Sequence, residues 1–215
     1  MRVLPLLVAA LLCPAAAHSQ SVAVQRGNVV YQATPQSSPR PLTSSGRDRD
    51  PRLSPDGKTV AFVRGTPADL VETATERGEA TELWIVGVDG RDARLLARGR
   101  AAERPEQALA GFQSPRFSPD GRRIYFLSTA WATSSAVHAV EVASGQERYL
   151  LPGNSLDLLP SGRYAGHLLV EQHRYFLAGG SYDWTWLFTP EGVEVGPVGE
   201  TEGALSQFRE MYAEP

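Results

Sequence analysis

The chain has 215 residues, 42% of them apolar and 21% charged, with a formal net charge of −3. That length allows one good-sized domain or two very small ones, and the mildly acidic balance lacks the basic footprint that nucleic-acid binding needs. The single cysteine, Cys13, lies among the first twenty residues, so the rest of the chain can use neither disulfides nor thiolate chemistry.

The opening segment, MRVLPLLVAALLCPAAAHSQ, has the layout of a secretory leader. Arg2 gives a positive start, Leu4 to Leu12 an apolar core, and Ala15 to Ala17 a small-residue cleavage site, all too short for a membrane span. Residues 1–17 are therefore expected to be removed, with cleavage falling between 17 and 20. Leu12 immediately before Cys13 argues against a lipid anchor. The remaining 20 basic and 24 acidic residues give a net charge of −4, and no later segment approaches the length of a membrane span. The mature product is expected to be periplasmic or secreted, to bind no nucleic acid and to have no membrane span. Among the basic residues only Lys58 is not arginine, a skew that fits genome composition.

From Asn28 onward the chain repeats. NVVYQATPQSSPRPLT (28–43) reads as half of a repeat. PRLSPDGKTVAFV (51–63) opens a full one and returns as PRFSPDGRRIYFL (115–127) and, degraded, as LDLLPSGRYAGHLL (156–169). Between these come LWIVGVDGRDARLLARG from Leu83, VHAVEVASGQERYLLPG from Val137 and WTWLFTPEGVEVGPVGE from Trp184. Each unit reads as a β-hairpin. In Ser-Pro-Asp-Gly the proline presets the first turn dihedral, the aspartate bonds nearby amides, and the glycine takes the left-handed conformation. Val60 and Phe62, like Ile124 and Phe126, then alternate with their neighbours as in a half-buried strand. A calcium loop at Asp56 or Asp120 would need several oxygen donors at alternate positions, and each turn offers one. Two hairpins in tandem make a four-stranded blade. Two insertions interrupt the pattern, at 65–82 and 98–113. The first is acidic from Asp69 to Glu82, and the second follows an Arg-rich stretch from Arg91 to Arg104. Both are candidates for recognition loops, or for solvated excursions with a short helix near Pro105 to Leu109. GALSQFREMYAEP at the end places Leu205, Phe208 and Tyr212 at helical spacing.

These units, above all Ser54 to Gly57 and Ser118 to Gly121, resemble the WD-like repeats of the TolB-like β-propeller family over residues 28–199. The resemblance implies an all-β fold, a small β-propeller of about four four-stranded blades, one incomplete. A short helical tail at 200–215 would follow it. Four blades fall at about 28–45, 48–99, 114–152 and 154–199. The ring closes either irregularly or not at all, leaving an open arc. The family further implies an extracytoplasmic protein that works by binding proteins or ligands.

Gly179-Gly180-Ser181-Tyr182 looks like the start of a nucleophile elbow, but Asp183 stands where the elbow needs a small residue. The strand-like DWTWLF follows where a helix is required, and every histidine precedes Ser181. No catalytic residue is assigned. His167, His173 and Asp183 have acceptable metal-ligand chemistry without a tight ligand spacing, so neither a metal nor a cofactor is assigned. Seven of the 18 aromatics lie between Tyr164 and Phe188. With His173, Arg174 and Asp183 beside Tyr182 and Trp184, they form either a ligand-binding platform or core filling, which Trp184, Trp186 and Phe188 at alternate positions favour. Gly179-Gly180 is expected to turn the chain between the second and third strands of the last blade, with Asp183 capping that turn or touching a ligand.

The function expected from sequence is non-enzymatic: an exported propeller that binds envelope protein partners, or acts as a scaffold, through one ring face and the two insertions. The alternative is a carbohydrate- or peptide-binding protein, or an enzyme, that uses His173, Arg174, Tyr182, Asp183 and Trp184.

Overall fold

The computed structural model describes residues 20–73 and 77–212. The leader expected at 1–17 lies outside them.

Four antiparallel sheets follow one another along the chain. The first holds β1 (Ser21–Gln25), β2 (Asn28–Gln32) and β3 (Arg40–Pro41). The second orders β4 (Asp48–Leu53), β5 (Thr59–Arg64), β8 (Glu82–Gly87) and β9 (Arg94–Arg98). Between β5 and β8 the chain makes a side ribbon of β6 (Leu70–Glu72) and β7 (Arg77–Glu79). The third sheet is β10 (Gln113–Phe117), β11 (Arg123–Ser128), β12 (Ala136–Glu141) and β13 (Glu147–Pro152). The fourth is β14 (Asp157–Leu158), β15 (Leu168–Tyr175), β16 (Ser181–Phe188) and β17 (Glu194–Gly199). Helix α1 (Glu202–Tyr212) closes the described chain.

The Ser-Pro-Asp-Gly segments form the turns their residues predict. The Ser54 hydroxyl donates to Asp56 (2.6 Å) and accepts from the Thr59 amide (2.9 Å), while Asp56 also accepts from the Lys58 amide (3.1 Å). Ser118 and Asp120 repeat this with the amides of Arg123 and Arg122. Gly57 and Gly121 both have φ of +70°, a conformation that costs an L-residue about 1–2 kcal/mol. The Ser54 and Ser118 hydrogen bonds, then the amides, hold both carboxyls below the usual carboxylate range. These aspartates build turns. A feature not read from the sequence accompanies them: β4 and β10 each bulge just before the repeat's proline, with Asp50 and Ser114 at φ of +51°.

Three apolar seams stack the sheets. Val29 and Tyr31 pack with Val60, Phe62 and Val86 between the first two. Ala61, Val63, Leu83 and Ile85 meet Ile124, Phe126 and Val140 between the second and third. Tyr125, Leu127 and Val137 meet Leu168, Val170 and Phe188 between the third and fourth. Among the described residues no such seam joins the fourth sheet to the first, so the sheets form an open arc. The first sheet also starts earlier than the repeat pattern suggested, because β1 pairs with β2 across the tight Arg26-Gly27 turn.

The second insertion is built into the body. Ala108, Leu109, Ala110 and Phe112 are essentially inaccessible. The Phe112 amide donates to Thr81 Oγ1 (2.7 Å), and a short 3-10 turn spans Pro105–Gln107.

Candidate functional site

β15 and β16 have eight residues each, against six in β5 and β11. They pair without a slip from Leu168 opposite Phe188 to Tyr175 opposite Ser181. The root of this hairpin is locked in the third seam, and its far half projects as a finger. At the tip the Gly179 amide donates to the Phe176 carbonyl and the Phe176 amide to the Gly180 carbonyl, both at 3.1 Å. Gly179 and Gly180 take φ of +96° and +86°, the reversal expected of that pair. Tyr175 is 68% exposed, Phe176 56%, and Leu177 fully.

Strand alternation divides the predicted site residues between two faces. His173 and Asp183 lie on one, where the imidazole Nδ1–H donates to Asp183 Oδ1 at 2.8 Å and Tyr175 meets the imidazole edge-on at 5.0 Å. Asp183 thus braces the hairpin from strand to strand and does not cap its turn. Ser181, exposed, shares this face at the start of β16. The other face carries Arg174, Tyr182 and Trp184. Tyr182 lies between Phe176 (4.6 Å between centroids) and Trp184 (5.5 Å). Arg174 stacks over Trp186 at 3.5 Å, donates to Gln172 Oε1 and pairs with Glu194 at 2.6 Å. Trp186 and Phe188 fill the seam, whereas Trp184 stands beyond it with its Nε1–H on Glu200 (3.2 Å). The core-filling role therefore holds for the last two and stops at Trp184. His167 packs against Tyr164 at 5.3 Å, and among the described residues no three histidine, cysteine or acidic side chains gather as a metal site.

Two polar clusters escaped sequence reading. The first is buried under the second insertion. His138, fully inaccessible, donates from Nδ1 to Glu147 (2.5 Å), which also receives Arg100 (2.6 Å). Burial pushes the Glu147 carboxyl up, but the bonds from His138 and Arg100 together outweigh it and hold it below its ordinary value. Tyr149, edge-on to His138, is pushed up to about 12 by burial and by Glu106. The second cluster lines a cleft of about 500 Å³ between the third and fourth sheets. There Arg123 bridges Glu141 (2.7 Å) and Glu191 (3.2 Å) beside the Tyr125 hydroxyl. The Glu141 hydrogen bond, with those to Tyr125 and Glu191, raises the Arg123 pKa, while burial raises that of Tyr125. Partners nine or more residues apart in the chain leave no spacing to recognise.

Four-stranded sheets carried on Ser-Pro-Asp-Gly hairpins and stacked face to face define a β-propeller architecture. The fold is that of the TolB-like propellers. The structure of TolB from Acinetobacter baumannii matches with a TM-score of 0.55 and 15% identity, over 84% of this chain and 40% of that one. A puromycin hydrolase structure matches with a TM-score of 0.52 and 21% identity, over 82% of this chain and 28% of that one. At such identities these likenesses establish the fold alone. By sequence, dipeptidyl-peptidase 5 of Trichophyton equinum is 34% identical over 124 residues, which are 55% of this chain and 16% of that protein. No protein-family model matches the chain.

These comparisons correct the expectation of a non-enzymatic protein. The sequence relatives are named as peptidases, and a hydrolase shares the fold, so the likenesses point to proteins named as enzymes. Repeat residues that serve only to build blades could not reveal this, because the same blades carry unrelated functions.

Proposed function

We propose that this chain is the propeller portion of a peptidase-class protein and that it captures peptide chains through the finger at residues 173–184. The observation that carries the reading is the finger itself, a hairpin paired without a slip that holds Tyr175, Phe176 and Leu177 out in solvent next to polar groups. Aromatic and apolar side chains on a stiff support provide contact area at low entropic cost. On one face Asp183, held by His173, accepts amide or ammonium protons from the peptide. On the other Tyr182 and Trp184 offer ring surface beside Arg174, whose guanidinium is held by Trp186, Gln172 and Glu194. Peptide is favoured over saccharide because the sequence relatives are peptidases by name. The matched stretch spans a small part of those relatives, so the wider activity belongs to this proposal too. The leader expected from sequence at 1–17 would place this action outside the cytoplasm, in or beyond the bacterial envelope.

The test is fluorescence anisotropy with a pool of fluorescein-labelled octapeptides. Tyr182→Ala and Asp183→Ala should each weaken binding about tenfold while the thermal midpoint stays at its wild-type value. Unchanged affinity in both variants would overturn the assignment.

A further inference from the structure

The first strands of the sheets stand side by side along the inner edge of the arc, where β4 packs between β1 and β10. One position of the repeat puts a charge on three of them. Arg52 on β4 and Arg116 on β10 lie five residues before the turn glycines Gly57 and Gly121, and Asp157 on β14 stands at the same distance before Gly162. The two arginines are held alike. Arg52 Nη1 donates to the Pro51 carbonyl (3.0 Å) and Arg116 Nη1 to the Pro115 carbonyl (3.1 Å). Arg116 then reaches Asp157 with Nε at 3.5 Å, and Arg209 of α1 meets the same carboxylate at 2.7 Å. Charges therefore alternate through Arg209, Asp157 and Arg116, until at Arg52 one cation follows another. Among the described residues Arg52 makes no ion pair. Burial first, and then Arg116, lower its pKa despite the weaker pull of Asp50 and Asp157. A partly desolvated cation beside a like charge costs energy that a counter-ion would offset.

We propose that Arg52 and Arg116 form an oxyanion site, which takes a phosphate or a carboxylate group between them and so completes the alternation of charge. A guanidinium fork presents N–H pairs that match the oxygens of either group. The bond from each fork to its own proline carbonyl orients it, and leaves Arg52 Nε and Nη2 and Arg116 Nη2 to meet a ligand. Asp157 supports the site by holding Arg116 from the far side. None of these residues belongs to the finger, so the site stands whether or not the finger captures peptides.

Titration calorimetry of the full chain in chloride at fixed ionic strength tests it. One arm uses inorganic phosphate; the other uses tri-alanine with a free carboxylate, with its C-terminal amide marking any binding that ignores the carboxylate. Binding in either arm is the expected result, and the arm that binds identifies the source of the oxyanion. Arg52→Gln and Arg116→Gln should each weaken that binding about tenfold or more, as expected for lost charged hydrogen bonds. Arg122→Gln removes an exposed cation, 3.9 Å from Asp120, and should leave binding unchanged. Without ligand, Arg52→Gln should melt no lower than wild type, because it relieves a repulsion; a purely architectural arginine would give a drop. The proposal is overturned if neither anion binds, if Arg122→Gln weakens binding as much as Arg52→Gln, or if Arg52→Gln melts lower in chloride alone.

Discussion

The third and fourth sheets have the same strand order, yet one is scaffold and the other displays a surface. In the third, the Ser118–Gly121 turn is intact, β11 and β12 pair residue for residue, and five of the six residues of β12 are buried. In the fourth, the repeat has decayed to Pro160–Gly162, β14 shrinks to two residues, and the central hairpin outgrows its neighbours. Strands that are no longer cut to blade length have no sheet to pack against at their far ends, and side chains there are free for other contacts. A degraded repeat thus marks the place where a propeller departs from its architectural task.

The contrast can be tested by substitution. Phe126→Ala empties the seam between the second and third sheets, where Phe126 packs at 4.9 Å from Phe112, and should cost about 3–5 kcal/mol in urea unfolding. Leu177→Asp on the finger should change stability by less than about 0.5 kcal/mol, and a comparable loss at both sites would erase the distinction. Glu147→Gln weakens the links to His138 and Arg100 and should cost about 1–3 kcal/mol at neutral pH. Because the folded Glu147 pKa is depressed, its contribution is complete above its ordinary value near 4.5 and is lost as pH falls through the lower folded value. Wild type should therefore lose stability on acidification below about pH 4.5, and the variant's profile should be flatter there. Asp120→Ala removes the turn bonds to Ser118 and Arg122 and should cost about 0.5–1 kcal/mol, read as a small drop in the thermal midpoint.

The parts of this fold that are legible in sequence are those made by neighbours along the chain. Ser54 to Gly57 and Ser118 to Gly121 specify their turns through bonds spanning two to five residues, and the alternation of Val60 and Phe62 follows directly. Gly179-Gly180 placed the finger's reversal, and the helical spacing of Phe208 and Tyr212 placed α1. β1 was missed because Arg26-Gly27 is not among the usual hairpin pairs. The burial of Ala108 to Phe112 was missed because an alanine-rich stretch reads the same in solvent as under a sheet. His173 and Asp183, singled out as candidates, do meet, whereas Arg174, Tyr182 and Trp184 lie across the strand plane from them. A periodicity of two fixes which face each residue takes only once the register is known. The likeness to proteins named as peptidases has no local signature in the blades.

The insertion at 98–113 carries a mechanical consequence. Its Ala110 packs with Val71 of the side ribbon and with Ala80 just beyond it, its Leu109 and Phe112 belong to the central seam, and its backbone is tied to Thr81 and Ser128. It works as a rivet through the middle of the arc. Pulled from its two termini, the molecule should shed α1 and the three-stranded first sheet early, while the second and third sheets part last and together.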